Sequence, residues 1–173
     1  VIFFNSFEGK IFRAEKIDTH GGSLRIYIKK NLNAKIEKNV KDLLKEEEKF
    51  GIKDYKIYQE FAKKVYKIRD NVRKNISDLK KNNNKIIGYG SPAKATTALN
   101  FFGISNEIDF IVEDNKLKQG KFLPGMKIPI ISKENLKEKP DYLLVLAWNF
   151  FDEIKKKNGD LAHKFISIKD LEI

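Results

Sequence analysis

The C-terminal half of the sequence predicts an α/β fold, a small parallel sheet flanked by helices, and a helical segment and a β-ribbon precede it. Three observations predict this. From residue 85 onward, short apolar runs alternate with helix-like stretches, the pattern of parallel strands joined by crossover helices. Tyr142-Leu-Leu-Val-Leu146 is apolar without alternation, as expected of a strand buried on both faces. Gly88-Tyr-Gly-Ser-Pro-Ala-Lys94 stands between Lys85-Ile-Ile87 and a helix-like Ala95-Thr-Thr-Ala-Leu-Asn-Phe-Phe102 closed by Gly103. A glycine turn feeding a helix in this way brings backbone close to a ligand and aims free N–H groups at an anion. Together these define a Rossmann-like domain.

The elements follow in chain order. Residues 1–30 alternate like strands, Lys10-Ile-Phe-Arg-Ala-Glu-Lys-Ile17 and Ser23-Leu-Arg-Ile-Tyr-Ile28, with Gly21-Gly22 at the turn. Two strands alone are marginally stable, so the ribbon is expected to belong to a larger sheet. Residues 31–84 form a helical connector. Val40, Leu43 and Leu44 lead to a break at Gly51, and Tyr55, Tyr58, Phe61, Val65, Ile68, Val72, Ile76 and Leu79 continue a helical stripe. Residues 85–173 are the Rossmann-like part. Its strands are expected before the glycine turn, at Ile108-Asp-Phe-Ile-Val112, at the edge near Ile128-Pro-Ile130, at Tyr142–Leu146 and at Lys164-Phe-Ile-Ser-Ile168. Ser132 is placed as the cap of a short helix containing Leu136, and Trp148 to Lys157 as a helix.

Composition narrows the function. The chain has 173 residues, 41% of them hydrophobic, and no cysteine, so disulfides and thiolate metal sites are excluded. No apolar run reaches the roughly 18 residues that cross a bilayer, and a cytoplasmic setting with no membrane partner is expected. A net charge of +11 invites a nucleic-acid reading. The lysines, however, are spread over helical faces and interleaved with Glu46, Glu47, Glu48 and Asp70, with no recognition motif, so the charge reads as a solvated surface.

Ligands on sheets of this class sit beyond the strand C-terminal ends, where three segments converge: Gly88–Lys94, Glu113-Asp114 and Ala147-Trp148-Asn149. Tyr89 and Trp148 offer flat surfaces for a base or sugar. Gly90 allows close backbone approach, and Ser91 with the amides near Ala93 offers donors for phosphate oxygens, Lys94 adding charge. Asp114 and Asn149 complete the edge. Trp148 equally fits a cap on the core, and Asp114 a turn cap before Asn115. In the ribbon, His20 is a candidate general base, and Asp18, two residues away on a strand, would share its face and orient it. A turn histidine bonding its own backbone is the alternative.

His20-Gly-Gly-Ser-Leu-Arg25, the Gly88–Lys94 turn, Glu113-Asp-Asn-Lys-Leu-Lys-Gln-Gly120, Leu123-Pro-Gly125 and Pro140-Asp-Tyr-Leu-Leu-Val-Leu-Ala-Trp-Asn149 occur in that order. This succession closely resembles the C-terminal part of the sugar-nucleotide C-methyltransferases, from about residue 9 to the end. The resemblance implies a parent enzyme that uses S-adenosylmethionine to methylate a carbon of a nucleotide-linked sugar. On that reading residues 1–30 are the tail of the methyltransferase domain, and the ribbon motif places His20, Ser23 and Arg25 at the substrate. The family's usual acid–base Tyr-x-Glu-His motif has no match here, so His20 lines the pocket rather than abstracting the proton.

The resemblance also implies a zinc domain and a glycine-rich cofactor domain, neither of which has its motif in these residues. The chain is therefore expected to be a piece of a longer enzyme, inactive alone, whose partners are the nucleotide-sugar and its own N-terminal domains. Two other functions stay open. Gly88-x-Gly90-x-x-Ala93 with Glu113-Asp114 about 24 residues later also fits an NAD site with the acid on the ribose. A domain that only buttresses its neighbours is the third.

Overall fold

A computed structural model describes residues 2–31 and 33–172, and the side chains of Ile2 and His20 lie outside that description. The chain divides into two compact units, Val1–Ala62 and Lys63–Ile173.

In the first unit a short α1 (Ile2–Asn5) precedes β1 (Lys10–Ile17), which pairs antiparallel with β2 (Ser23–Lys29). The register sets Ile11 opposite Ile28, Ala14 opposite Ile26 and Lys16 opposite Leu24, so Ile11, Ala14, Leu24, Ile26 and Ile28 share one face. Helix α2 (Lys38–Phe50) covers the β1 side of that face: Ile11, Ala14 and Val40 are buried together, with Phe4, Ile36 and Leu43 against them. Leu24, Ile26 and Ile28 on β2 stay 36–53% exposed. Among the described residues β2 pairs with β1 alone. Gly51, at φ 81°, ends α2 in the left-handed conformation, its N–H donating to Glu47 O and Glu48 O.

Helix α3 (Tyr55–Lys81) begins in the first unit and continues into the second, where Val72 and Ile76 are fully buried. The remaining elements are β3 (Ile86–Tyr89), α4 (Ala93–Phe102), β4 (Ile111–Val112), β5 (Ile130–Ile131), β6 (Tyr142–Val145), α5 (Phe151–Lys157) and β7 (Lys164–Ser167). The five strands form one parallel sheet in the order β5-β4-β3-β6-β7. Successive residues point to opposite faces. Ile86, Ile111 and Leu144 enter a core with Val72, Ile76 and Leu99 from α3 and α4. Ile87, Val112 and Leu143 enter a second core with Leu161 and Ala162, against which Ile154 of α5 packs. Helices on both faces of a parallel sheet make this the Rossmann-like α/β fold that the sequence predicts.

Several elements differ from expectation. β4 is confined to Ile111–Val112. The preceding residues do bond to β3, Asp109 N–H to Ile86 O at 3.1 Å and Gly88 N–H to Phe110 O at 2.9 Å, but regular pairing begins only at Ile111. The edge strand lies at Ile130–Ile131, beyond Pro129, which has no N–H to donate. Its outer side is covered by the chain itself, with Ile130 N–H donating to Lys121 O and Gly120 N–H to Ile130 O, both at 2.8 Å. Ser132 precedes a 3₁₀ turn, Lys133–Asn135, without a side-chain cap bond, and Leu136 follows that turn. Trp148–Phe150 is a 3₁₀ turn leading into α5, and β7 ends at Ser167, one residue earlier than expected. In the ribbon, Thr19–Gly21 is a 3₁₀ turn and Asp18 has ψ 11°. Asp18 and His20 therefore do not follow one another along an extended strand, and the shared-face argument for the pair falls.

Gly88 is required by packing. A Cβ there would stand 2.9 Å from both Ile111 Cγ1 and Leu146 Cδ1, two fully buried side chains with little room to yield. Gly88→Ala is expected to destabilise the second unit by about 1–3 kcal/mol, read from urea denaturation followed by Trp148 fluorescence. An unchanged midpoint would show that the core accommodates the methyl group.

Candidate functional site

The site is built where β3, β4 and β6 end. β3 closes at Tyr89, and Gly90 turns the chain at φ 82°, its N–H donating to Val112 O at 2.8 Å. Only glycine adopts that conformation without strain. Pro92 then stands at the N-cap position of α4 and supplies the acceptor for Ala95 N–H at 2.9 Å. The amides of Ala93 and Lys94, in the first turn of α4, have no acceptor within the helix, and the Lys94 side chain is exposed.

Beside this turn β4 delivers Glu113, whose carboxylate is buried against it. Oε2 accepts the Ser91 hydroxyl at 2.6 Å and the Ser91 N–H at 2.8 Å, and Oε1 accepts Asn115 N–H at 3.0 Å. The Lys118 ammonium stands 3.6 Å from Oε2 and donates to Ser91 O at 2.9 Å. Gln119 Nε2 closes the loop onto Glu113 O at 2.8 Å. Burial pushes the Glu113 carboxyl up, but the Ser91 and Asn115 donors and Lys118 outweigh it and hold it below the usual carboxylate range. The stability it contributes is complete above its unfolded-state value and is lost as pH falls through the folded one.

A second network lies next to the first. The Tyr89 hydroxyl donates to Asp114 Oδ2 at 2.8 Å and accepts from Asn158 Nδ2 at 3.2 Å. Asn158 is buried, its Oδ1 accepting from Lys133 Nζ at 2.9 Å, and Lys157 Nζ stands 3.8 Å from Asp114. From β6 the chain runs through Ala147 to Trp148, half-buried against the first core, and Asn149, which is exposed.

Gly90, Ser91, Lys94, Asp114, Trp148 and Asn149 thus all follow the C-terminal ends of neighbouring strands. Tyr89 differs from expectation: only 4% exposed, its ring packs into the second core, so its polar end anchors Asp114 while its faces are covered. Ser91 also differs, since both its donors run to Glu113 rather than to an open site. Asp114 accepts from Tyr89, and the Asn115 N–H of the turn donates to Glu113 instead. Glu113, buried and already accepting on both oxygens, holds the turn, so a ribose would have to compete with Ser91 and Asn115 for it. Ser23 and Arg25 belong to the first unit, Ser23 Oγ donating to Thr19 O at 2.9 Å and Arg25 exposed opposite Glu15. The His20 side chain lies outside the described residues. Lys118 and Asn158 were not anticipated. Glu113 had a signal, an acid following the strand beside the glycine turn, whereas Asn158 had none.

Among the described residues, no three His, Cys, Asp or Glu side chains gather to hold a metal ion, and no helix is long and apolar enough to cross a membrane. A family profile of the C-methyltransferase C-terminal domain matches residues 18–167. The chain belongs to the C-methyltransferase family, as its C-terminal domain. It is also similar to the C-methyltransferase NovU of Streptomyces niveus, 34% identical over 154 residues. That match covers 87% of this chain and 37% of the relative, so the chain spans well under half the length of NovU.

In this C-methyltransferase domain, burial first and the Asp114 carboxylate second push the Tyr89 hydroxyl up from 10.0 to about 12. A raised folded value means that this contribution to stability is present below about pH 10 and is lost as pH rises toward 12. Tyr89→Phe is expected to cost about 1 kcal/mol at neutral pH and to flatten the loss between pH 10 and 12. Urea midpoints of both proteins at pH 8 and pH 11 test this; parallel losses would remove Tyr89 as the titrating group.

Proposed function

We propose that this chain is the C-terminal part of an S-adenosylmethionine-dependent C-methyltransferase acting on a nucleotide-linked sugar, and that it helps to bind the nucleotide-sugar. The observation that carries this is the N-terminus of α4 at the C-terminal edge of the sheet, with Lys94 in its first turn, in a chain of the C-methyltransferase family. Two amides with no acceptor among the described residues, the positive end of a helix dipole and an ammonium suit a diphosphate. Trp148 offers a flat surface to the base or sugar, and Asp114 and Asn149 supply polar groups beside it. His20, Ser23 and Arg25 of the first unit are further candidate substrate contacts on the family resemblance alone.

S-adenosylmethionine supplies the methyl group in this reading. The glycine turn is not assigned to that cofactor: it lacks the family's cofactor-loop motif, and Glu113 beside it is committed to Ser91 and Asn115. The cofactor domain and any zinc domain are thus assigned to further domains of the same protein, which are its partners along with the substrate. The setting is cytoplasmic. The limited share of NovU that the chain covers supports this division of labour.

Titration with thymidine diphosphoglucose is expected to change Trp148 emission saturably, whereas NADH leaves it unchanged; saturable binding of NADH alone would turn the reading to a dinucleotide module. Lys94→Ala is expected to weaken the sugar nucleotide about tenfold, or roughly 1.4 kcal/mol, and to reduce its salt dependence. Unaltered affinity would move the diphosphate elsewhere. Calorimetry with S-adenosylmethionine is expected to show no binding by this chain, and a micromolar dissociation constant would overturn the assignment of that cofactor to another domain.

A further inference from the structure

We propose that Ser91 selects a hydroxyl group of the ligand and turns phosphate away, because Glu113 takes both of its hydrogens. This rests on the nucleotide-sugar reading and deepens it by placing the sugar at Ser91 and the diphosphate further on, at the amides of Ala93 and Lys94.

A serine hydroxyl has one hydrogen and two lone pairs. At Ser91 that hydrogen runs to Glu113 Oε2 at 2.6 Å, within the short range of bonds to an ionised oxygen. The N–H of the same residue runs to the same oxygen at 2.8 Å. What the Ser91 side chain has left to offer a ligand is therefore a lone pair on Oγ, made richer in electrons by the anion bonded to it.

A phosphate oxygen at neutral pH brings lone pairs and charge of its own, so at Ser91 acceptor would face acceptor with a carboxylate one bond away. A sugar hydroxyl brings the missing hydrogen and completes a chain from ligand O–H through Oγ–H to the carboxylate. Lys118 offsets part of the carboxylate charge, but its ammonium donates to Ser91 O at 2.9 Å and stands 3.6 Å from Glu113 Oε2, so it brings no hydrogen to Oγ, which stays an acceptor.

Calorimetry on the whole chain with thymidine diphosphate and thymidine diphosphoglucose tests this. Ser91→Ala is expected to weaken the diphospho-sugar about tenfold, the loss of one hydrogen bond to a charge-polarised acceptor, and to leave thymidine diphosphate within about twofold. Glu113→Gln removes the charge and releases a Ser91 donor, so thymidine diphosphate is expected to bind several-fold tighter. A purely structural role for Glu113 would weaken it instead. Equal losses of both ligands in Ser91→Ala, or no change in either, would overturn the proposal while leaving the nucleotide-sugar reading standing. Failure of the unaltered chain to bind either ligand would overturn that reading and this one together. If circular dichroism shows Glu113→Gln unfolded, the Ser91→Ala comparison decides alone.

Discussion

The buried Glu113 carboxylate ties the glycine turn after β3 to the loop after β4, and the shape of the ligand edge depends on that tie. A carboxylate removed from water is costly unless its lone pairs are matched. Here three donors and one nearby ammonium match it. The arrangement is mutual. Ser91 holds Glu113 ionised, and Glu113 fixes the direction in which Ser91 and the start of α4 can act. Charge placed beneath a turn, rather than in it, lets a loop be rigid without exposing an anion to an anionic ligand.

The sheet gives this tie its precision. β3 and β6 lie side by side with helices on both faces, and Ile86, Ile87, Leu143 and Leu144 have no exposed surface. Interiors packed to this degree transmit small displacements rather than absorbing them. The missing side chain at Gly88 belongs to the same economy of space, since it lets Ile111 and Leu146 close over the strand just before the turn. The position of Ser91 is thereby inherited from the core.

The fold was legible because both of its signals are local. Continuous apolar runs such as Tyr142–Val145 and the glycine turn at residues 88–90 report burial and backbone conformation directly. Strand lengths were less legible: at residues 108–110 composition fits a strand, and only the geometry of the neighbouring chain decides where pairing becomes regular. The site was legible as a set of positions, because strand ends on a parallel sheet share an edge. Its wiring was not. That Glu113 meets Ser91 follows from β4 lying beside β3, a tertiary fact. That Asn158 reaches Tyr89 follows from how α5 packs. The Asp18–His20 pair was misplaced because Gly21 and Gly22, at φ 85° and 114°, let the chain coil into a 3₁₀ turn where a strand continuation had been read.

The two sheets handle their borders differently. At β5 the chain folds back and occupies the outer hydrogen-bonding groups of Ile130, and the strand is only two residues long. Residues of β2 have no such cover among the described residues, and their apolar face is half open. Bare strand edges template the pairing of other chains. In a concentrated solution of this chain, strand addition is therefore closed at the β5 border, which its own loop already occupies, and open at the ribbon, where aggregation would grow.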